Sequence, residues 1–472
     1  MSNESNQKAA KAGIGYTIGN IFIKGLSFLT LPIFTRLMTT ADYGIYTTYI
    51  AYESILTIIV SLGLYASLKN AKIDFSGQID KYVSSISLLP IIFSILLILL
   101  ISPFQGKLSV VLGLDSILLT FMILQSCASG LLTLYNCRIS LDYSYKAFVG
   151  ISIFNTIGNV AVSLILILFL FKNNAYYGRI LGTFIPITLI ALYVLGTFYK
   201  KARPKLKRDY ITYGLKYSLP LIPHGVSQLI LAQFGKIIIQ NKIGNSEAGI
   251  YGFAYTVALI PQIMVQSIGM AWGPWFFEAY NNKKEDEIKR RTTQCVALFS
   301  FVTVFLSCIA PEIVKIISAR AYWESIPLLA PAILGVYFTF MYGFPVEIEY
   351  YYKKTNFIAI GTIVAAVINV VLCLFLVPKY GYPIAVYITV LTYAIYFIGH
   401  MMISYFITGR HLPFDTKIMY FYILAVCGTC AAAQLLVNVW IARYIIALIW
   451  AALLYKKYDS IIIQYVNKYL DK

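Results

Sequence analysis

Residues 13–57 read GIGYTIGNIFIKGLSFLTLPIFTRLMTTADYGIYTTYIAYESILT. Two apolar stretches flank a short polar turn at residues 36–43. Each stretch carries one charge at depth, Lys24 in the first and Glu53 in the second. A charge in a bilayer core costs roughly 3 kcal/mol on insertion scales, so it is paired, hydrated or functional. At 100° per residue Thr17, Asn20, Lys24 and Ser27 fall within about 80° of arc, one polar stripe on an apolar helix. Tyr46, Tyr49, Glu53 and Thr57 share a face of the second stretch in the same way. Polar groups in hydrocarbon must find partners inside the protein or in a wet cavity. Two compatible readings follow: a Lys24–Glu53 ion pair that closes the hairpin, and a cavity lined by both stripes.

The rest of the chain has the same character. Of its 472 residues 59% are hydrophobic and 12% charged, where soluble chains are about 45–50% apolar and about 25% charged. Fourteen stretches approach the length needed to cross a bilayer as helix: about 13–35, 43–66, 82–102, 116–137, 148–171, 176–199, 212–240, 249–275, 294–318, 326–351, 357–377, 383–407, 418–437 and 439–455. The last is short and contains Arg443. The chain is expected to be an all-α polytopic membrane protein. Its polar start is not read as a cleavable signal, because the apolar segment behind it is too long and lacks a small-residue cleavage pattern.

The net charge of +18 would suggest nucleic acid in a soluble protein. Here it reads as the positive-inside bias, and no nucleic-acid partner is expected. With the N-terminus in the cytoplasm, the inner loops collect the basic clusters, above all KKARPKLKRD at 200–209, and the outer loops hold scattered single cations. Both termini are therefore expected in the cytoplasm. No connection is long enough to fold as a soluble catalytic domain. Cys427 and Cys430 have the spacing of a redox motif, but they sit in an apolar span without the context such a motif needs.

The basic loop after the sixth span divides the chain into residues 1–207, 208–410 and a two-span tail, 411–472. An internal repeat supports the division. Asp42-Tyr-Gly-Ile-Tyr46 and Glu247-Ala-Gly-Ile-Tyr251 align at an offset of 205 residues, each after the first span of its half. Six spans separate the copies, so the halves have the same orientation, related by an axis along the membrane normal.

The seventh span repeats the polar theme. Lys236 is flanked on one face by Gln233 and Gln240. Pro220 and Pro223 break the helix before it, and His224 and Gln228 follow the break. Tyr255, Gln262 and Gln266 form a stripe on the eighth span, and Asn155, Asn159 and Ser163 on the fifth; the fifth reads as interhelical glue. Lys24 and Lys236 are one cation from the first span of each half, though not equivalent under the 205-residue offset. Two cations in a cavity suit an anionic group such as a phosphate or pyrophosphate. Glu53, His224, Glu347 and Glu349 are candidates for gating or ion coupling; for Glu347 and Glu349 the competing reading is local pairing with Lys353 and Lys354. No phosphate-binding glycine loop, metal-ligand cluster or nucleophile–base arrangement is present, so no cofactor, metal or catalytic residue is expected and the chain reads as a transporter.

The motifs Pro32-Ile-Phe-Thr-Arg-Leu37, Asp42-Tyr-Gly-Ile-Tyr46, Glu247-Ala-Gly-Ile-Tyr251 and Ala321-Tyr-Trp-Glu-Ser-Ile-Pro-Leu-Leu-Ala330 resemble those of bacterial polysaccharide flippases, the Wzx-type branch of the multidrug/oligosaccharidyl-lipid/polysaccharide exporter superfamily. The resemblance covers nearly the whole chain. It implies two six-helix lobes around a cavity, alternating access, and carriage of an undecaprenyl-pyrophosphate-linked oligosaccharide to the outer leaflet of the bacterial cytoplasmic membrane. It assigns Lys24 and Lys236 to the cavity cations, and it implies a glycan polymerase and a chain-length regulator as partners. Related peptidoglycan-precursor flippases have two extra helices that form a lipid-facing groove. Alternatives are a cation-coupled drug or metabolite antiporter of the same fold, which needs deep acids rather than lysines, and a flippase of a peptidoglycan or teichoic-type precursor. A membrane glycan polymerase or ligase would need a large outer loop, which is missing.

Overall fold

In hydrocarbon every backbone N–H and C=O must be paired within its own segment, so apolar runs of this length become helices. The computed structural model describes residues 28–470 with Gly15, Gly19, Gly25 and Leu26, and side chains as far as residue 456. Thr17, Asn20, Lys24 and Ser27, and with them the Lys24–Glu53 pair, lie outside the described residues.

The helices are α1 (Leu31–Leu37), α2 (Thr40–Val60), α3 (Leu68–Asp74), α4 (Ile79–Ile86), α5 (Leu88–Ile101), α6 (Gln105–Leu112), α7 (Ser116–Ser140), α8 (Tyr145–Ile165), α9 (Ala175–Lys201), α10 (Arg208–Ser218), α11 (Ile222–Lys242), α12 (Asn245–Ala258), α13 (Gln262–Asn281), α14 (Glu285–Ile317), α15 (Ile326–Met341), α16 (Gly343–Tyr351), α17 (Thr355–Tyr380), α18 (Ile384–Ile407), α19 (Thr416–Leu435) and α20 (Trp440–Leu470). No strand occurs among the described residues. Ten helical segments there are long and apolar enough to span a membrane, and twelve if each of two bent pairs is one span. Of the fourteen expected spans, the first, 13–35, lies largely outside the described residues, and the last, at the start of α20, is not among these twelve. The protein is an all-α, multi-pass membrane protein.

The sequence repeat has a structural counterpart. Helices α2 and α12 begin at Thr40 and Asn245, 205 residues apart. In each copy the acid folds back over the residue that opens the helix. Asp42 accepts from the Thr39 hydroxyl (2.7 Å) and backbone amide (3.3 Å), closing a capping box. The Glu247 carboxylate lies 2.6 Å from where a Cβ on Gly244 would sit. Each helix then ends at a bend, 47° between α2 and the segment from Leu64 to Asp74 and 44° between α12 and α13. The causes differ: Leu62 and Gly63 take left-handed φ values of 52° and 59° at the first, and Pro261 precedes α13 at the second.

By contact density the chain falls into two compact units. One runs up to Gly252 and includes Cys373–Tyr382; the other holds Phe253–Leu372 and the chain from Pro383 onward. In the first, Pro220 and Pro223 produce the expected break, a 3-10 turn at Leu219–Leu221 between α10 and α11. Near the basic loops Arg138 bonds Asp80 (3.0 and 2.8 Å) and Asp142, and Lys72 reaches Asp142 at 3.4 Å. In the second unit α14 is the core helix, its Phe299 packed on Tyr337 and Phe340, with Phe344 beyond them. Arg443, the charge in the short last span, is 1% exposed. It donates to Glu312 of α14 (2.9 Å) and to the Cys308 carbonyl, which fastens α20 to α14. A helix with a buried arginine is tolerated there because the charge is paired.

Candidate functional site

Helix α2 turns its polar residues toward its neighbours. Tyr46 lies under the Arg179 guanidinium of α9, 4.8 Å from ring centre to Cζ. Tyr49 is fully buried and its hydroxyl donates to Gln125 of α7 at 3.1 Å. Glu53, 7% exposed, accepts from the Ser129 hydroxyl at 2.7 Å and from Thr57 at 3.1 Å, while Ser126 donates to its backbone carbonyl at 3.2 Å. The stripe recognised in the sequence is thus divided between α9 and α7. Ser126 and Ser129 of α7 hold Glu53 while Gln125 holds Tyr49, three polar residues within one turn of the sequence.

Lys236 and Arg179 of the first unit have no carboxylate partner among the described residues. Lys236 is half-buried on α11 and its ammonium donates to Gln233 at 2.8 Å. Next to it, Gly235 leaves the space that the Tyr251 hydroxyl occupies. Arg179, which sequence reasoning did not single out, sits one turn inside α9. It donates to Ser163 at 2.9 Å and to Asn159, and stacks on Phe34 with Cζ 3.9 Å from the ring centre. The polar stripe on α8 is therefore glue of a particular kind, since it binds this arginine. A cation held by amide, hydroxyl and ring faces keeps its whole charge available to an anion.

The other candidates are distributed. Gln240 donates to the Gly113 carbonyl at 2.9 Å, and Asn241 donates to the Tyr52 hydroxyl at 3.3 Å. His224 is half-buried with its Nδ1 unpaired among the described residues, and Gln228 is exposed. In the second unit Gln262 accepts from Thr339 at 3.3 Å and Gln266 is exposed. Glu347 is half-buried, makes no hydrogen bond among the described residues, and places its carboxylate against Gly273 of α13, 3.1 Å from where a Cβ would be.

Glu349 corrects the expected pairing with Lys353 and Lys354. Its side chain is fully buried and its Oε1 lies 2.5 Å from Nδ1 of His400 on α18. The helix ends at Tyr351, and only the Lys354 backbone amide returns to it, donating to the Glu349 carbonyl at 2.8 Å. His400 is 51 positions away in sequence, beyond the reach of helical spacing.

Helices α14, α19 and α20 enclose an open groove of about 530 Å³, lined by Ala297, Tyr422, Ala425, Thr429, Trp450 and Leu453, with Lys456 also on its wall. No group of three His, Cys, Asp or Glu residues among those described could hold a metal ion.

The profile of a family described as polysaccharide biosynthesis protein matches residues 9–280. An Lsg locus protein of Haemophilus influenzae is 26% identical over 358 residues, covering 71% of this chain and 86% of its own length. A membrane protein of the same organism is 22% identical over 376 residues, covering 75% and 86%. Among solved structures, the lipid II flippase MurJ in an inward closed conformation superposes with a TM-score of 0.71 at 14% identity, covering 94% of this chain and 99% of its own. An inward-facing multidrug resistance transporter of the MATE family, in the MOP superfamily, superposes at 0.56 with 13% identity, covering 85% and 98%. The fold is therefore that of these transporters.

Proposed function

The chain belongs to the polysaccharide biosynthesis protein family, and on that premise we propose that it is a flippase for a lipid-linked oligosaccharide. The substrate is an undecaprenyl-pyrophosphate-linked repeat unit, carried from the inner to the outer leaflet of the bacterial cytoplasmic membrane, with both termini of the protein in the cytoplasm.

The observation that carries this reading is the pair of membrane-embedded cations, Lys236 and Arg179, without carboxylate partners among the described residues. A desolvated cation is costly and gains most from a doubly charged pyrophosphate. The resemblance adds Lys24, which lies outside the described residues. The acids Glu53, Glu312 and Glu349 are already occupied by hydroxyls, an arginine and a histidine, which disfavours these three as sites for organic cations and leaves Glu347 as the acid an antiporter would use. The groove between α14, α19 and α20 supplies an apolar bed for the polyprenyl chain, with the ammonium of Lys456 on its wall to meet a head group. The halves 1–207 and 208–410 alternate between two arrangements of similar energy, each exposing the cations to one leaflet. The polymerase and chain-length regulator act on the product after release.

The test is reconstitution in liposomes with a labelled polyprenyl-pyrophosphate oligosaccharide, using a membrane-impermeant reagent to read the outer leaflet. The labelled lipid should cross far faster in protein-containing vesicles than in empty ones. A protein that instead effluxes a fluorescent organic cation and leaves the lipid in place would be an antiporter. A protein that moves only a peptidoglycan-type precursor would keep the flippase reading and change the glycan.

A further inference from the structure

The buried Glu349–His400 pair plays no part in holding an anionic head group. We propose that it is a proton-binding site that couples protonation to opening of the second unit; as a coupling device it rests on the transporter reading above.

Both side chains are withdrawn from solvent, at 0% and 1% exposure. An N···O separation of 2.5 Å requires one proton between Nδ1 and Oε1. With that proton alone the pair carries one negative charge. One further proton, taken on Nε2 or Oε2, makes it neutral overall. A net charge in a low-dielectric core is far more costly than a neutral pair. The arrangement with the pair sealed from water therefore suits the doubly protonated pair, and loss of a proton favours one in which water reaches it. The change in protonation and the change in shape are linked in both directions.

The surroundings supply no other counter-charge. On α16 the nearest acid is Glu347, whose carboxylate is turned to Gly273 of α13. Tyr350 follows on the same helix. On α18 the Tyr396 ring stands edge-on to His400 at 4.4 Å, and its hydroxyl is bonded to Thr362 of α17 at 2.8 Å. Tyr342, between α15 and α16, lies 6.5 Å from the imidazole. Helix α15 carries no charged residue, and α17 none before Lys379. No lysine or arginine on these elements is placed to neutralise the carboxylate.

The site is also incomplete as it stands. Nε2 of His400 and Oε2 of Glu349 have no hydrogen-bond partner among the described residues. Such orphans in a buried position mark a group that finds its partner in another state or in water. Nε2 is separated from an outer groove only by the bare backbone of a glycine. It faces Gly361 of α17, 2.9 Å from where a Cβ would lie, at the floor of a groove of about 250 Å³ that Gly361, Tyr396, Gly399 and His400 line. Ser404 donates to the Pro345 carbonyl at 2.8 Å and holds α18 to α16 beside the pair, so movement of one helix is felt at the other.

The experiment uses the full chain in two readouts. In liposomes with the labelled lipid, an imposed pH difference should change the initial flipping rate of the wild type at least tenfold. Glu349→Gln and His400→Gln should both lose that response while retaining flipping without a gradient. In detergent, infrared difference spectra across a pH titration should show a carboxyl and an imidazole signal in the wild type that both variants lack. A wild type indifferent to the pH difference, or variants that respond like it, overturns the proposal. So does the absence of a titrating carboxyl–imidazole signal in the wild type, which needs no folded variant and no substrate. If no protein moves the lipid but the wild-type signal is present, the flippase reading fails and the proton site stands.

Discussion

Gly44 and Gly249 occupy the same place in two crossing helices, each pressed against the other copy's backbone. A methyl group on Gly44 would run into the carbonyl oxygen of Asn245, and one on Gly249 into that of Thr40. Both contacts relate repeat positions 40 and 44 to 245 and 249. Thr40 and Ser246 join hydroxyls at 2.6 Å beside them, and Thr47 packs on Gly252, its own counterpart under the same offset. The crossing is thus a local pseudo-two-fold, and the motif's glycine is there so that two helix backbones can touch.

Alanine at either glycine should be strongly destabilising, by about 3 kcal/mol or more, since overpacking against backbone cannot be relieved by a rotamer change. Thermal unfolding in detergent measures this. Gly428→Ala, where a Cβ meets nothing within 4 Å, should leave the midpoint unchanged or raise it. Equal behaviour of the three variants would contradict the crossing.

Glu53 ties α2 to α7 through Ser129, with Thr57 of its own helix as a second donor. Glu53→Gln retains an acceptor oxygen and should lower stability slightly. Glu53→Ala leaves those hydroxyls without their acceptor in a buried setting, at roughly 1–3 kcal/mol. Comparing the unfolding midpoints of both variants checks the order. If Gln is as damaging as Ala, the charge itself is the requirement, and a gating role gains ground.

Arg443 and Glu312 should be coupled. Arg443→Met strands a carboxylate beside α14 and should cost about 3–5 kcal/mol, whereas Arg443→Met with Glu312→Gln should recover part of the loss. A double-mutant cycle by denaturant or thermal unfolding reads the coupling. Additive effects would mean the two charges act independently.

The Asp142 carboxyl lies outside the spans. Burial works to raise it, but hydrogen bonding and attraction from Arg138, with help from Lys72, hold it below the ordinary carboxylate range. Its contribution is therefore present above the unfolded carboxyl's value and lost as pH falls through the folded one. Acidification should lower the unfolding midpoint of the wild type more than that of Asp142→Asn. Parallel pH curves would remove this ion cluster from the stability account.

What could be read from the sequence was what depends on local periodicity. The apolar runs, the proline break before α11 and the acid-x-Gly-Ile-Tyr repeat all follow from neighbours within a few turns. The acid of the repeat caps its helix, a local role that the alignment of the two copies did not by itself reveal. Partner identity was not legible. Glu349 had two lysines at helical distance, yet its carboxylate meets a histidine brought by another helix. Arg179 was not singled out, because Phe34, Tyr46, Asn159 and Ser163, which close around it, come from other helices. Arg443 counted against the last span until Glu312 was found opposite. Each of these depends on a helix–helix register that no single helix encodes.

The central claim is that embedded cations draw a pyrophosphate-linked glycan into the protein, and one measurement addresses it directly. Initial rates of lipid-linked oligosaccharide flipping are compared in liposomes for wild type, Lys236→Ala and Lys236→Arg at matched amounts of folded protein. The account predicts at least a tenfold loss for Ala with an unchanged unfolding midpoint, and substantial recovery for Arg. Wild-type flipping by Lys236→Ala would contradict it.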